Sequence, residues 1–249
     1  MESQKSDIIY GIRPLLEAVR SGKQIDKVLI RQGLTGDLAS ELLGALKHSG
    51  IPFQHVPYES FAKFKNRNHQ GVVGFLAPIA LHALEELLPK IIASGKTPFL
   101  LLLDRITDVR NFGAIVRTAE CAGVDAIIVP AKGAAQIGPD SVKTSAGALH
   151  HIPVCRVGSL KVTISYLKES GVKVISASER GSKSLFEADL SGAIALVMGA
   201  EDTGITPDVL RVSDAVVRIP ILGQIGSLNV SVAAGVMMYE VVRQRGLQP

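Results

Sequence analysis

From Phe99 onward the chain repeats one pattern. A short, mostly apolar run is followed by a longer stretch that loops or winds back. The runs are Phe99–Leu103, Ala126–Val129 and Ile194–Met198, apolar throughout, with Val172–Ala177 interrupted by Lys173 and Ser176 and Ala215–Ile219 by Arg218. Helical spacing marks Ala114–Cys121, Leu160–Glu169 and Val230–Arg243. A strand that is apolar on every residue must be covered on both faces, whereas a strand wet on one face would alternate. Such strands interleaved with helices predict an α/β fold, a mostly parallel sheet with helices on both sides. Ligands in these sheets bind beyond the carboxyl ends of the strands. The loops that leave each apolar run are therefore the places to look for chemistry.

Residues 8–76 predict a smaller α/β unit. Pro14 suits a first helical turn, and Leu15, Leu16 and Val19 follow on one face. Lys27–Ile30 reads as a strand, and Leu38–His48 as a helix closed by Ser49-Gly50. Ile51–Val56 and Val72–Leu76 read as strands, with a short helix around Phe61 and Phe64 between them. Leu84, Leu87, Leu88 and Ile91 then share a helical face. That helix is either a linker at the domain boundary or the first helix of the second domain. The expected division is 1–78 as a small domain, 79–97 as linker helix and 98–249 as the main domain.

Composition narrows the class of protein. The 249 residues are 47% apolar, enough for a buried core, and this excludes a disordered chain. A net charge of +4 permits a polyanionic partner without requiring one. Cys121 and Cys155 are far apart and outside any CxxC pattern, which argues for a reducing compartment and against a thiolate metal site. The six histidines show no metal-ligand spacing, so no metal is expected. The start Met-Glu-Ser-Gln-Lys-Ser-Asp is polar after its methionine and no apolar run would span a bilayer, so a cytoplasmic protein is expected. Ser94-Gly95-Lys96-Thr97 ends like a phosphate-binding P-loop. However, Lys90 stands where its first glycine should be, and a strand follows where a helix is needed.

Three loops carry more. After Leu101-Leu-Leu-Asp104, a polar stretch leads to Asn111 and Gly113 at the start of a helix bearing Arg117. Alone, Asn111 as an N-cap and Arg117 as a surface cation would explain these residues equally well. After Leu196-Val-Met-Gly199 come Glu201 and Gly204, an acid and bare backbone at a strand end. After Ile219, Gly223 and Gly226 predict a loop whose backbone can approach a ligand, followed by Ser227 and Asn229 at a helix start. Three glycine-bearing loops leaving buried strands could converge on one crevice.

Together these segments resemble the SpoU/TrmH family of RNA ribose 2′-O-methyltransferases, within the SPOUT class. Asn111-Phe-Gly-Ala-Ile-Val-Arg117 is similar to the family's first motif, Met198-Gly-Ala-Glu-Asp-Thr-Gly204 to its second and Ser227-Leu-Asn-Val-Ser231 to its third. Gly11-Ile-Arg-Pro-Leu-Leu-Glu-Ala18 and Asn68-His-Gln-Gly-Val-Val-Gly74 resemble its substrate-binding extension. The arrangement is nearest the RlmB-type branch, which modifies a guanosine of 23S ribosomal RNA. One departure is visible: the family usually has Asp-Pro before the first-motif Asn, where this chain has Asp108-Val109-Arg110. The change brings loop geometry into question and adds a cation.

The resemblance implies S-adenosyl-L-methionine as methyl donor, a C-terminal trefoil knot and a homodimer with the active site completed across the interface. It implies catalytic roles for Asn111, Arg117, Glu201, Ser227 and Asn229, and cofactor contacts near Ala177, Gly199, Ile219 and Leu228. Arginine is hard to deprotonate, which favours Arg117 as a phosphate clamp over a base. Arg13, Lys63, Lys65, Arg67, His69 and Arg110 are the candidate RNA contacts. The expected partner is 23S ribosomal RNA or an assembling large subunit. Methylation of tRNA ribose and a non-catalytic RNA-binding role in ribosome assembly are the alternatives.

Overall fold

The computed structural model describes residues 8–246. The polar N-terminal segment lies outside them. The chain divides into two compact units, residues 1–80 with Gln136–Pro139, and residues 81–135 with 140–249.

The first unit contains β1 (Ile8–Tyr10), α1 (Ile12–Arg20), β2 (Ile25–Arg31), α2 (Asp37–His48), β3 (Phe53–Val56), a 3₁₀ segment (Tyr58–Phe64) and β4 (Val72–Leu76). The sheet order is β1-β4-β2-β3, and only the β2/β3 pair is parallel. Period-two alternation sorts its side chains. Val28, Ile30 and Val72 join Leu15, Leu16, Leu42 and Leu46 of the two helices in one core. Val73 and Val56 pack with Phe61 and Phe64 in another. At three residues, β1 is too short for its pattern to show in the sequence.

The second unit contains β5 (Leu81–His82), α3 (Leu84–Ala93), β6 (Phe99–Asp104), α4 (Val109–Cys121), β7 (Ala126–Pro130), α5 (Pro139–Thr144), β8 (Val154–Val157), α6 (Leu160–Glu169), β9 (Lys173–Ala177), β10 (Lys183–Ser184), β11 (Ile194–Gly199), α7 (Pro207–Val212), β12 (Ala215–Arg218) and α8 (Val230–Arg245). Its eight strands are all parallel, in the order β10-β12-β9-β11-β6-β7-β8-β5. Every residue of β6 and β11 is buried, as expected for central strands covered on both sides. Leu100 and Leu102 lie in the core with residues of α3, α6 and α7. Leu84, Leu88 and Ile91 belong to that core and β5 pairs with β8, so this segment is built into the second unit. Strand β8, Val-Cys-Arg-Val, was not anticipated: it is only four residues long and owes its pairing to β7 and β5.

Cys121 and Cys155 are both free thiols. Burial pushes the Cys155 thiol up to about 12, which keeps it a protonated core side chain. Among the described residues no helix is long and apolar enough to cross a membrane. Nor does any group of three or more His, Cys, Asp or Glu side chains there suit a metal ion.

Candidate active site

The sheet reverses direction beside β6. From β6 the chain proceeds to β7 and β8 on one side, while β11, β9 and β12 lie on the other. A crevice opens where such an order reverses, and the loops after β6, β9, β11 and β12 meet there.

Helix α4 starts earlier than its apolar spacing suggested, at Val109, with Asp108 as its N-cap. The Asp108 carboxylate accepts hydrogen bonds from the backbone N–H groups of Arg110 and Asn111, both at 2.8 Å. Val109 therefore occupies the first helical position, where proline is favoured but not required. The cap holds the turn without it. Asn111 is not the cap, so its side chain is available for other contacts.

The Asn111 amide donates to Glu201 Oε2 at 3.1 Å. Asn229 Nδ2 donates to Asn111 Oδ1 at 3.1 Å and to Glu201 Oε1 at 3.2 Å. Asn229 Oδ1 caps α8 by accepting from the N–H of Ser231 at 3.0 Å and from its hydroxyl at 2.5 Å. Residues 90 and 118 positions apart from Asn111 thus close one ring of side chains at three strand ends. Glu201 spends one lone pair on each oxygen in this ring. A carboxylate has about four, so it can still accept from a ligand.

A cavity of about 400 Å³ lies on one side of the ring. Ala177, Gly199, Ile219 and Leu228 all line it, as do Glu201 and Ser227. Gly199 has a steric reason to be glycine, because a Cβ there would strike the backbone of Gly204 and Ile205. Gly223 and Gly226 do not. Neither has a positive φ or a protein atom within reach of a Cβ, so no close approach or special backbone within this chain requires them. A second cavity of about 350 Å³ lies on the other side, lined by Arg105, Thr107, Asp108, Asn111 and Asp202 among others. The two share Ala200, Glu201, Asp202 and Val230. Arg105 was not singled out from the sequence, where it looks like one more loop cation.

Arg117 stands apart. It is exposed, lines neither cavity and lies six residues along α4 from Asn111. At about 100° per residue, that spacing turns it to another face of the helix. Arg110 is also exposed.

In the first unit, the two segments likened to the family's extension meet. The Gly11 N–H donates to Val72 O, and Gln70 Oε1 accepts from the Ile12 N–H. Arg13, Lys63, Lys65 and Arg67 are exposed. The His69 ring stacks on Phe61 at 4.9 Å, and its Nδ1 accepts from the Gly71 N–H. Arg67 lies over Tyr10 and Lys63 over Phe64. Lys27, which the sequence did not mark, lies over Phe75; burial lowers its pKa, with Asp26 opposing and Lys63 adding to the shift.

Residues 98–239 match the SpoU rRNA Methylase family, and residues 8–81 match the family described as RNA 2′-O ribose methyltransferase substrate binding. The chain belongs to the SpoU rRNA methylase family. It is 36% identical over 247 residues to the 23S rRNA (guanosine-2′-O-)-methyltransferase RlmB of Yersinia pestis, covering 98% of this chain and 99% of that one. YacO of Bacillus subtilis, assigned to the TrmH family of tRNA/rRNA methyltransferases, is 32% identical over 243 residues, with 98% of each chain covered. The SpoU methyltransferase AviRb of Streptomyces viridochromogenes, solved with AdoMet, superposes with a TM-score of 0.60 at 26% identity. That match covers 96% of this chain and 90% of AviRb.

Proposed function

We propose that this protein methylates a ribose 2′-hydroxyl in RNA with S-adenosyl-L-methionine, and that its substrate is a guanosine of 23S ribosomal RNA. The observation that carries this reading is the Asn111–Glu201–Asn229 ring, set between two cavities at the ends of parallel strands. The first cavity fits the cofactor by its chemistry. Ala177, Ile219, Leu228 and Met198 offer an apolar slot for a purine, and the glycine-bearing strand end offers backbone groups for polar atoms. When bound, S-adenosyl-L-methionine supplies a methyl group on a positively charged sulfur.

The chain's own residues then have mainly to position the acceptor. Glu201, with lone pairs to spare, accepts a hydrogen bond from the ribose hydroxyl and fixes its direction. Asn111 and Asn229 hold the carboxylate in place, and Ser227 at the cavity wall bonds ribose or cofactor. Arg117 grips the adjacent phosphate with its guanidinium fork. Because it lies away from the ring, the Arg117 serving each site comes from the partner in a homodimer. The exposed apolar side chains Leu222, Ile225 and Val232 around the third loop support such an interface. The trefoil knot belongs to the same reading, and rests on the family resemblance of the three motifs. Residues 1–78 hold RNA through Arg13, Lys63, Lys65, Arg67 and His69, and Arg110 adds a phosphate contact beside the site.

The test is methyl transfer from labelled cofactor to total RNA from a strain lacking the gene. Label confined to a 2′-O-methylguanosine of 23S ribosomal RNA is expected. Label in tRNA alone would select tRNA methylation, which the name of the Bacillus subtilis relative keeps in view. Absence of label from every RNA would overturn the methyltransferase reading.

A further inference from the structure

We infer that the second cavity receives the base of the nucleotide being methylated, and that Arg105 reads that base as guanine. This rests on the methyl-transfer reading above. With the donor in the first cavity, an acceptor ribose at the shared wall of Ala200, Glu201 and Asp202 sends its base into the second. Its volume of about 350 Å³ suits a nucleoside, since small-molecule sites run from roughly 300 Å³ upward.

Arg105 immediately follows the end of β6 and has φ of 61°. Glycine takes up that left-handed conformation freely, whereas arginine is strained in it. Strained residues concentrate where a side chain has work to do. The Arg105 side chain is held at one end. Nη2 donates to Gly204 O at 3.3 Å, and Nε lies 3.7 Å from the Asp104 carboxylate without a hydrogen bond. Gly133 packs beside its aliphatic stem. The remaining guanidinium N–H groups make no hydrogen bond among the described residues, and the residue lines the cavity.

A fixed fork of donors selects a base edge with paired acceptors. Guanine sets O6 beside N7, whereas adenine sets an amino donor beside N7. Asp202, which also lines the cavity, supplies an acceptor for the amino and imino hydrogens at guanine's other edge.

The competing role for Arg105 is to fasten the Ala200–Gly204 loop through its bond to Gly204, and one experiment separates the two. The nucleotide labelled by the full-length protein in total RNA is mapped. A transcript of that region is then made with each of the four bases at that position. kcat/KM is measured for wild type, Arg105→Gln and Arg105→Gly, with S-adenosyl-L-methionine affinity and thermal unfolding as controls. Wild type is expected to prefer guanine. Both variants should bind the cofactor like wild type but lose the guanine-over-adenine preference by about 5- to 150-fold. A uniform loss with the preference intact, an unchanged preference, or a mapped target other than guanosine would each overturn the assignment. Absence of label with wild type would instead bring down the methyl-transfer reading on which it stands.

Discussion

Asn229 serves two structures with one side chain. Its oxygen caps α8 and its amide nitrogen ties Asn111 to Glu201. Asn229→Ala should therefore cost stability as a lost N-cap does, about 1 kcal/mol. Methyl transfer should fall much further, on the order of 100-fold, because the ribose acceptor is no longer oriented. Asn229→Asp separates the two effects: the cap is kept, but a second carboxylate faces Glu201 without a donor. Thermal unfolding and single-turnover transfer measure them, with stability recovering in the Asp variant and activity not. An Asp variant with wild-type turnover would remove the amide from the mechanism. The residue types at 111, 201 and 229 were legible in the sequence as polar side chains at strand and helix ends. That they bond to one another was not, because 90 and 118 residues separate them from Asn111 along the chain.

Helix α4 carries the first motif, and its place depends on Gly113. A Cβ there would come within 2.6 Å of Thr144 Cβ and 2.8 Å of the Thr144 carbonyl carbon. The single Thr144 hydroxyl hydrogen has its shortest acceptor in the Asp140 carbonyl at 2.9 Å, within α5, and the Val109 carbonyl at the start of α4 lies 3.2 Å from the same oxygen, so the two helices meet closely here. Gly113→Ala gains roughly 1 kcal/mol of helix propensity. It must also push backbone apart, which costs about 1–3 kcal/mol in a packed site. Overpacking wins, and the melting temperature should fall; a rise would mean the contact relaxes at no cost. At this scale the long apolar strands were readable because burial on both faces leaves an unmistakable run. Strands β1, β5, β8 and β10 were not, since each is four residues or fewer and owes its pairing to neighbours.

At the scale of the molecule, each unit has a core of its own, one under α1 and α2 and another under α3, α6 and α7. Removing residues 1–78 should leave S-adenosyl-L-methionine binding near the full-length value and abolish selectivity among RNAs. Calorimetry with the cofactor and labelling of total RNA would check both halves. A truncated chain that still methylates a single site would deny the first unit its proposed part.

By itself, the sequence determined the class of the second unit, the number of strong central strands and the residue types at their carboxyl ends. Burial and periodicity are local constraints, and each position expresses them independently. Tertiary structure decided which loops meet, that Asp108 rather than Asn111 caps α4, and that Arg117 faces away from the ring. It also decided that Arg105, an ordinary loop cation in the sequence, stands in a strained conformation at the wall of a second cavity. These outcomes depend on strand order, and strand order arises from contacts between residues far apart in the chain, which no local pattern records.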